Sequence, residues 1–321
     1  MKKSVGIIGA NGYTGSELVR LLAFHPNVEI KLLYSRSNSG VKISDLYSDL
    51  DSVCDLVLTN EISQVDILFL CLPHKESRNW LNDNSVSDET LIIDLGNDFR
   101  LEGNFGNRNF IYGLPEIYFN EIQNSKSIAN PGCFATAIQL ALLPLAKENL
   151  LKEVYTTGIT GSTGAGQSLQ PTTHFTWRND NISAYKTLNH QHVDEVVKQL
   201  NLLNKNEVEL NFVPWRGDFS RGIFTTSVVK TDLSLEAVYD LYEQFYKNSP
   251  FVKISKKAID MKQVVNTNFC TIQIEKKGNK IAIHSAIDNL LKGASGQAVQ
   301  NMNIANGWAQ DLGLNLKPLA F

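Results

Sequence analysis

Cys133 is the residue of this sequence best placed to act as a nucleophile. It stands in the turn 130–134, Asn-Pro-Gly-Cys-Phe, which leads into an apolar segment that predicts a buried helix. The free N–H groups and the positive dipole end of a helix N-terminus stabilise a thiolate. A free cysteine is also commonly a small buried apolar residue, and the spacing alone does not decide between the two roles.

The other three cysteines have poorer surroundings for chemistry. Cys71 and Cys270 fall within apolar, strand-like runs and are expected in the core, whereas Cys54 has acidic neighbours that disfavour a thiolate. None of the four belongs to a C-x-x-C pair, and their spacing fits neither a zinc site nor a disulfide framework. We therefore expect no metal and a reducing, cytoplasmic compartment.

Two histidines could transfer protons near neutral pH. His190 and His192 are two residues apart, so in an extended chain their side chains point to the same side. They precede the amphipathic segment 193–203, and a histidine that only caps this helix would occupy the same position. The pair is a candidate acid/base, with a structural role left open.

The first glycine-rich loop indicates a nucleotide site. Residues 9–15 lie between an apolar strand and the first predicted helix. Glycines there allow a pyrophosphate to approach the backbone, and the helix N-terminus offers free N–H groups. The spacing G-x-x-G-x-x-G is looser than the usual fingerprint, so the alternation of strand and helix supports the prediction. The candidate cofactor-binding residues of this loop are Gly9, Asn11, Gly12, Tyr13, Thr14 and Gly15.

The end of the second predicted strand indicates which dinucleotide binds. Tyr34 is followed by Ser35 and Arg36, with no Asp or Glu to bind the ribose of NAD. A hydroxyl and a fixed cation suit the 2′-phosphate of NADP. Arg36 could equally be a solvated loop residue, so the pair favours NADP only together with the glycine loop.

Two later segments could bind anions. Residues 158–166 form a second glycine-rich stretch, which could be an anion-binding nest of backbone N–H groups or a surface turn. Arg221 begins a predicted strand, where its guanidinium could hold a carboxylate or phosphate through two hydrogen bonds.

The composition of the 321-residue chain excludes several classes of protein. Hydrophobic residues make up 43% and charged residues 20%, as in an ordinary globular protein, and the length fits about two domains. The net charge of -3 leaves no basic excess for nucleic acid. The longest uncharged span, 127–146, is interrupted by prolines, and no signal peptide is evident. We expect a soluble protein that binds no membrane.

Hydrophobic periodicity predicts the elements that position these residues. The first 130 residues alternate short apolar runs with helical patterns, which predicts βαβ units and a parallel sheet covered on both faces. Beyond residue 130, two helices and several period-two segments surround a hairpin signal at 277–279. The expected fold is therefore α/β, followed by a mixed or antiparallel sheet with helices on one face.

Several segments together resemble the N-acetyl-gamma-glutamyl-phosphate reductases, a family of arginine biosynthesis. They run in family order over nearly the whole chain, which makes the set far more specific than any one of them. The matching segments are 9–18 (GANGYTGSEL), 72–74 (LPH), 93–100 (IDLGNDFR), 112–116 (YGLPE), 130–134 (NPGCF), 184–186 (AYK), 221–223 (RGI) and 292–303 (KGASGQAVQNMN).

The resemblance implies a Rossmann-type NADP-binding domain and an α+β catalytic domain like that of glyceraldehyde-3-phosphate dehydrogenase. The last helix of the family returns to the nucleotide domain, which predicts a discontinuous domain of 1–132 and 293–321. The intervening segment 133–292 would form the catalytic and oligomerisation domain. The resemblance also implies a cytoplasmic homo-oligomer, often a tetramer.

The resemblance further implies that NADPH reduces an N-acyl-gamma-glutamyl phosphate to the semialdehyde with release of phosphate. Cys133 would form a thioester, and His192 or His190 would transfer the proton. The further candidates for cofactor binding are Pro73, Ser162 and Gly164. The candidates for substrate binding are Asn130, Arg100, Gly161, Tyr185, Arg221 and Arg216.

The sequence departs from the family pattern at two places. Gln191 replaces the arginine of a His-Arg-His motif, and Trp215 occupies a common histidine position, with Arg216 adding a charge. Arg216 could recognise a carboxylate on a succinyl group in place of acetyl, or the change could leave specificity unaltered. An activity like that of aspartate-semialdehyde dehydrogenase is the nearest alternative. A non-catalytic NADP-binding redox sensor would belong to a different class.

Overall fold

The computed structural model describes residues 1–319 and divides into two units. Unit 1 comprises Met1–Pro131 and Ala294–Asn315, and unit 2 comprises Gly132–Gly293 and the residues from 316 onward. The boundaries predicted from the sequence, 1–132 with 293–321 and 133–292, differ from these at Gly132, at Gly293 and over 316–319, all of which lie in unit 2. The side-chain amide of Asn266 donates to the Lys317 carbonyl at 3.2 Å within unit 2. Residues 320–321 of that predicted boundary lie outside the described residues.

Strands and helices alternate in the first part of the chain, and longer strands dominate the second part. Over residues 1–319 the strands are β1 (Lys3–Ile8), β2 (Val28–Tyr34), β3 (Ile67–Leu70), β4 (Leu91–Asp94), β5 (Asn104–Phe105), β6 (Arg108–Asn109), β7 (Ile111–Tyr112), β8 (Ser127–Ala129), β9 (Glu153–Thr160), β10 (Ser183–Ala184), β11 (Glu209–Arg216), β12 (Ile223–Lys230), β13 (Val252–Ser255), β14 (Cys270–Lys277) and β15 (Lys280–Ile287). The helices are α1 (Tyr13–Leu22), α2 (Ile43–Leu46), α3 (Ser77–Asp83), α4 (Pro115–Gln123), α5 (Cys133–Lys147), α6 (Phe175–Arg178), α7 (His192–Leu203), α8 (Leu235–Tyr246) and α9 (Ser295–Ala305).

Unit 1 is built on a six-stranded sheet in the order β2-β1-β3-β4-β8-β7, in which every neighbouring pair is parallel. Parallel sheets are covered on both faces, and β3 and β4 are accordingly buried along their whole length. Helix α9 packs against α1 and α4 within this unit, although it lies near the far end of the chain. The parallel α/β architecture predicted from the periodicity is confirmed.

Unit 2 is built on a mixed sheet in the order β10-β11-β9-β12-β15-β14-β13. The pairs β9–β11 and β13–β14 are parallel, and the other neighbours are antiparallel. Helices α5, α7 and α8 pack on the sheet, and β9 alternates exposed and buried residues as a strand covered on one face does. The predicted second domain, a mixed sheet with helices on one face, is confirmed.

Helix α5 is the central helix of unit 2 and is buried from Phe134 to Ala146. Pro144 lies inside it and has no N–H to donate to the Leu140 carbonyl, four residues earlier. The phenol of Tyr246, on α8, donates to that carbonyl at 2.5 Å instead. The Leu140 carbonyl, which the proline cannot bond, thus has a hydrogen-bond donor, and the helix that begins at Cys133 continues to Lys147 without a break. No helix within residues 1–319 is long and apolar enough to cross a membrane.

Candidate active site

Cys133 is the first residue of α5, directly after the extended N-cap residue Gly132. The Gly132 N–H donates to Oε1 of Glu195 at 2.8 Å, and Glu195 is itself buried. On another side lies Gly293, where an added Cβ would stand 2.8 Å from the Cβ of Cys133. The half-buried thiol is therefore held at a helix N-terminus by contacts in front of it and beside it.

The two histidines lie next to each other and both are buried. Their ring centroids are 4.7 Å apart, and the backbone N–H of His192 donates to Nδ1 of His190 at 3.2 Å. The sequence argument assumed an extended chain, whereas Gln191 has helical φ and ψ, so a turn brings the rings together. Since Nδ1 of His190 accepts a hydrogen bond, its neutral ring carries the proton on Nε2.

Helix α7 links the histidines to the nucleophile. It begins at His192 and carries Glu195 one turn later, on the same side of the helix. Glu195 was not among the residues predicted from the sequence, although its spacing from His192 within the amphipathic segment is a signal that indicates it. One helix therefore presents a candidate acid/base and holds the turn that precedes Cys133.

Tyr185 and Arg216 extend this group of side chains. The guanidinium of Arg216 lies 4.8 Å above the Tyr185 ring, and that ring lies 5.7 Å from His190. Burial raises the pKa of the Tyr185 phenol well above its usual range, and the negative charge of the Cys133 thiolate raises that pKa further. The charge of Arg216 and its hydrogen bond to the phenol lower that pKa, but burial outweighs them, so Tyr185 stays protonated.

Arg221 is held by a carboxylate of its own unit. Its Nε donates to Oδ2 of Asp288 at 3.1 Å and its Nη2 to Oδ1 at 3.2 Å, and Asp288 is fully buried. Asn289 accepts the Gly222 N–H at 2.7 Å and donates to the Thr163 hydroxyl at 3.0 Å. Asp288 and Asn289 were missed because nothing local in the sequence links them to Arg221.

The second glycine-rich stretch is not an open nest of N–H groups. The N–H of Gly161 donates to the Gly222 carbonyl, that of Ser162 to Phe219, and that of Gly164 back to Gly161. An added Cβ at Gly161 would lie 2.5 Å from the Ser220 carbonyl oxygen. Glycine there serves close backbone packing, so the anion-nest interpretation of this stretch is wrong for these N–H groups.

The loop after β1 in unit 1 has the shape of a phosphate cradle. Gly9 has φ +80°, and an added Cβ would collide with the Cys71 carbonyl. A Cβ at Gly15 would lie 2.5 Å from the Gly9 carbonyl oxygen. Helix α1 begins at Tyr13, and its N-cap residue, Gly12, offers no side chain to cap the first N–H groups. These features fit the pyrophosphate of a dinucleotide.

Ser35 and Arg36 follow β2 in the same unit, and only one of them has its polar group open. The Ser35 hydroxyl is buried and accepts the Asn38 N–H at 3.2 Å. The Arg36 side chain is 68% exposed and only loosely paired with Glu76, at 4.0 Å. Arg36 thus keeps donors for a 2′-phosphate, and Ser35 shapes the loop that presents it. Pro73 lies in the turn after β3, where its carbonyl accepts the Glu76 N–H.

Arg100 and Asn130 hold the backbone of unit 1. Arg100 is 6% exposed, and its Nε donates to the Asn130 carbonyl at 2.8 Å. The Asn130 side chain donates to the Ala294 carbonyl and accepts from Asn301, both at 3.0 Å. These hydrogen bonds support the turn that ends at Pro131.

The residues of interest thus fall into two sets. Loop 9–15, Ser35, Arg36 and Pro73 belong to unit 1, whereas Cys133 and its neighbours belong to unit 2. Within residues 1–319, no group of three or more His, Cys, Asp or Glu side chains could hold a metal ion.

Family models match both parts of the chain. The semialdehyde dehydrogenase NAD binding domain matches residues 4–125, and the semialdehyde dehydrogenase dimerisation domain matches residues 133–289. The fold agrees with solved structures of aspartate-semialdehyde dehydrogenases. That of enzyme II from Vibrio cholerae has a TM-score of 0.75 at 18% identity over 96% of this chain and 99% of the other. The structure from Candida albicans with NADP has a TM-score of 0.70 at 14% identity, and the match covers 97% of this chain and 100% of that chain. The chain is therefore built from a semialdehyde dehydrogenase NAD binding domain and a semialdehyde dehydrogenase dimerisation domain.

Curated relatives narrow this class. The chain is 52% identical to the N-acetyl-gamma-glutamyl-phosphate reductase of Flavobacterium johnsoniae over 99% of both chains. It is 50% identical to that of Bacteroides fragilis over 98% of this chain and 99% of the relative. The chain therefore belongs to the N-acetyl-gamma-glutamyl-phosphate reductase family, as the resemblance predicted. The names of these relatives do not favour the N-succinyl, aspartate-semialdehyde dehydrogenase or redox-sensor alternatives.

Proposed function

We propose that this protein reduces N-acetyl-gamma-glutamyl phosphate to the semialdehyde through a thioester on Cys133. The observation that supports the proposal most directly is the position of Cys133 at the start of α5, with Glu195 holding the preceding N–H. A thiolate is favoured there by the helix dipole. The ring of His190 lies 5.8 Å from that of Phe134, the residue next to Cys133, which places a candidate acid/base beside the start of α5.

The proposed sequence of events starts with His192, which takes the thiol proton. The Cys133 thiolate attacks the acyl carbon, the carbon–oxygen bond to phosphate breaks, and the imidazolium returns the proton to the departing phosphate. His190 donates from Nε2 to the carbonyl oxygen as negative charge builds on it, because its Nδ1 already accepts the His192 N–H. The product of this stage is the thioester; only after a hydride has reduced its carbonyl carbon does the carbonyl re-form as the aldehyde, with cleavage of the carbon–sulfur bond and return of the thiolate.

NADPH, when bound, supplies the hydride that converts the thioester to the aldehyde level. Loop 9–15 fits its pyrophosphate, because helix α1 begins at Tyr13 and its N-cap residue, Gly12, leaves the first N–H groups without a side-chain cap. Arg36 would bind the 2′-phosphate through its open guanidinium. Pro73, Ser162 and Gly164 remain candidates for the same cofactor, and Gly161, Tyr185 and Arg221 for the substrate.

The test is the reverse reaction, the phosphate-dependent reduction of NADP with N-acetyl-glutamate semialdehyde. Cys133→Ala should abolish it while NADP still binds. Cys270→Ala is the matched control, because Cys270 is a fully buried cysteine of the same unit, and its thiol contacts the Ser285 hydroxyl. Wild-type protein given the acyl phosphate without NADPH should gain the mass of the acyl group on Cys133. Turnover by Cys133→Ala would refute the assignment.

We also infer a homo-oligomer that assembles through the open face of the unit 2 sheet. Large side chains are exposed on that face, among them Tyr155 at 55% and Trp215 at 36%. The match of residues 133–289 to a dimerisation domain supports assembly through unit 2. The family resemblance favours a tetramer, and sedimentation equilibrium tests it. The free state of all four cysteines supports a reducing compartment such as the cytoplasm.

A further inference from the structure

Three arginines of unit 2 could bind an anionic substrate, and the fold already uses two of them. Arg178 is 6% exposed, and its guanidinium donates to the carbonyls of Thr172, Asn181 and Arg216. Arg221 forms its two-point ion pair with the buried Asp288. Because Asp288 neutralises Arg221, an incoming carboxylate would have to compete with a carboxylate that is already in place.

Arg216 differs from Arg178 and Arg221 in that part of its guanidinium has no acceptor in the described part of the fold. Its Nε is buried and has no hydrogen-bond partner among the described residues. A buried N–H without an acceptor is costly, and a guanidinium is especially so because it stays charged. Its neighbours include Arg178, whose pKa is lowered by burial and then by the charge of Arg216, with Asp218 as the nearby carboxylate. The guanidinium has a hydrogen bond to the Tyr185 phenol, but its Nε lacks an acceptor that a ligand could provide.

The position of Arg216 connects it to the thiol. It is the last residue of β11, paired in register with Thr160 at the end of β9. Its guanidinium stacks on Tyr185, and the Tyr185 ring lies against His190, which lies against Phe134 beside the nucleophile. The departing phosphate must adjoin the sulfur, whereas the α-carboxylate of the substrate is several carbon atoms away. Arg216 is separated from the histidines by a ring and suits the more distant anion.

We propose that Arg216 binds a carboxylate of the substrate through Nε and one terminal nitrogen, and that Tyr185 orients the guanidinium by stacking. A guanidinium matches a carboxylate in this two-point geometry. The inference rests on the proposed function, because it takes the substrate to be an N-acyl glutamyl derivative. The carboxylate can come from the glutamyl α-carbon or from the acyl group.

The reverse reaction tests the proposal, since semialdehyde and phosphate are then varied independently. Arg216→Ala should raise the KM for N-acetyl-glutamate semialdehyde about 10- to 100-fold, with the KM for phosphate and the Kd for NADP unchanged. N-acetyl-4-aminobutanal, which lacks the α-carboxylate, should be used equally poorly by the wild type and by Arg216→Ala. A loss seen only with the N-succinyl semialdehyde would place the carboxylate on the acyl group.

Lys253→Ala is a matched control, because it also removes a cation that lies over an aromatic ring. Nζ of Lys253 is 3.4 Å from the centroid of the Phe269 ring, and Lys253 is on β13, at the opposite edge of the sheet from β10 and β11. This variant should leave every KM unchanged. An unchanged semialdehyde KM in Arg216→Ala, or a rise in the phosphate KM alone, would overturn the proposal while wild-type activity stands. If the wild type itself shows no phosphate-dependent reduction of NADP, the proposed function has failed instead.

Discussion

A single methyl group added at Gly293 should displace the nucleophile. A Cβ built there lies 2.6 Å from the Asn289 carbonyl oxygen and 2.8 Å from the Cβ of Cys133. Carbon atoms in contact normally stand ~3.5–4.0 Å apart, so the groups must separate by ~1 Å. The Asn289 side is fixed, because the Gly293 N–H donates to the Asp288 carbonyl and the Asn289 side chain is bonded at both ends. Much of the movement must therefore fall on Cys133.

The magnitude follows from this geometry. Overpacking of this kind costs ~1–3 kcal/mol of unfolding free energy. A reacting atom misplaced by ~1 Å can lose about 10²-fold in rate. Gly293→Ala should therefore fold with reduced stability, bind NADP normally and show a kcat roughly 10²-fold lower.

The assay compares kcat, the alkylation rate of Cys133 by iodoacetamide, and urea unfolding. Gly278→Ala serves as the control: Gly278 has φ +60° in the hairpin between β14 and β15, and an added Cβ there meets nothing within 4 Å. The left-handed backbone alone should cost about 1–2 kcal/mol, with kcat unchanged. If Gly293→Ala loses stability like this control but keeps its kcat, contact with Gly293 does not set the position of the thiol.

Two further predictions concern buried carboxyl groups. Glu195→Ala should leave the Gly132 N–H without its acceptor, which should lower the unfolding free energy by ~1–3 kcal/mol and kcat by at least about tenfold. Glu195→Gln keeps an acceptor oxygen and should recover most of the kcat. Equal losses of kcat in the two variants would contradict the positioning role of Glu195. Burial raises the pKa of Asp94 to about 6, although Ser77 donates to it at 2.6 Å, so the folded state keeps a proton that the unfolded chain releases near pH ~4. The unfolding free energy should therefore fall by roughly 3 kcal/mol between pH ~4 and ~6, and Asp94→Asn should remove that part of the slope in urea titrations; identical slopes would count against it.

The parallel sheet of unit 1 could be predicted because its signals are local. Each buried strand is a short, continuous apolar run, and each is followed by a glycine, proline or polar turn. The loop 9–15 was predictable for the same reason, since the preceding strand and the following helix both adjoin it in sequence. Residues close in the chain fix the geometry there, so the pattern indicates the structure.

For the second glycine-rich stretch, residues 158–166, composition alone does not predict whether the backbone N–H groups are open. The sequence left two interpretations open, an anion-binding nest or a surface turn, and in the structure Gly161, Ser162 and Gly164 donate their N–H groups to carbonyls. Two of the three acceptors lie about sixty residues further along the chain, in the segment 219–222. Whether a backbone N–H is open depends on what packs against it, and one segment alone does not contain that information.

The availability of a charge is likewise a tertiary property. Arg221 and Arg216 looked alike in the sequence as cations near a predicted site. Folding places Asp288 against Arg221 and leaves Nε of Arg216 without an acceptor. The same rule explains Arg100, whose guanidinium binds backbone carbonyls. An arginine therefore indicates an anion site only after the acceptors that surround it in the fold have been identified.

Helix α7 couples two parts of the proposed chemistry that the sequence presents separately. His192 begins the helix, and Glu195, on its next turn, holds the Gly132 N–H in front of Cys133. Val196 and Leu200 on the same helix are fully buried, so their packing against the body of unit 2 fixes how far the helix reaches. Because a helix moves as a rigid rod over so short a length, a shift of α7 displaces the acid/base and the turn before the nucleophile together. The distance between proton acceptor and thiol is thereby set by one element, and the buried face of α7 is as much part of the site as the histidine it presents.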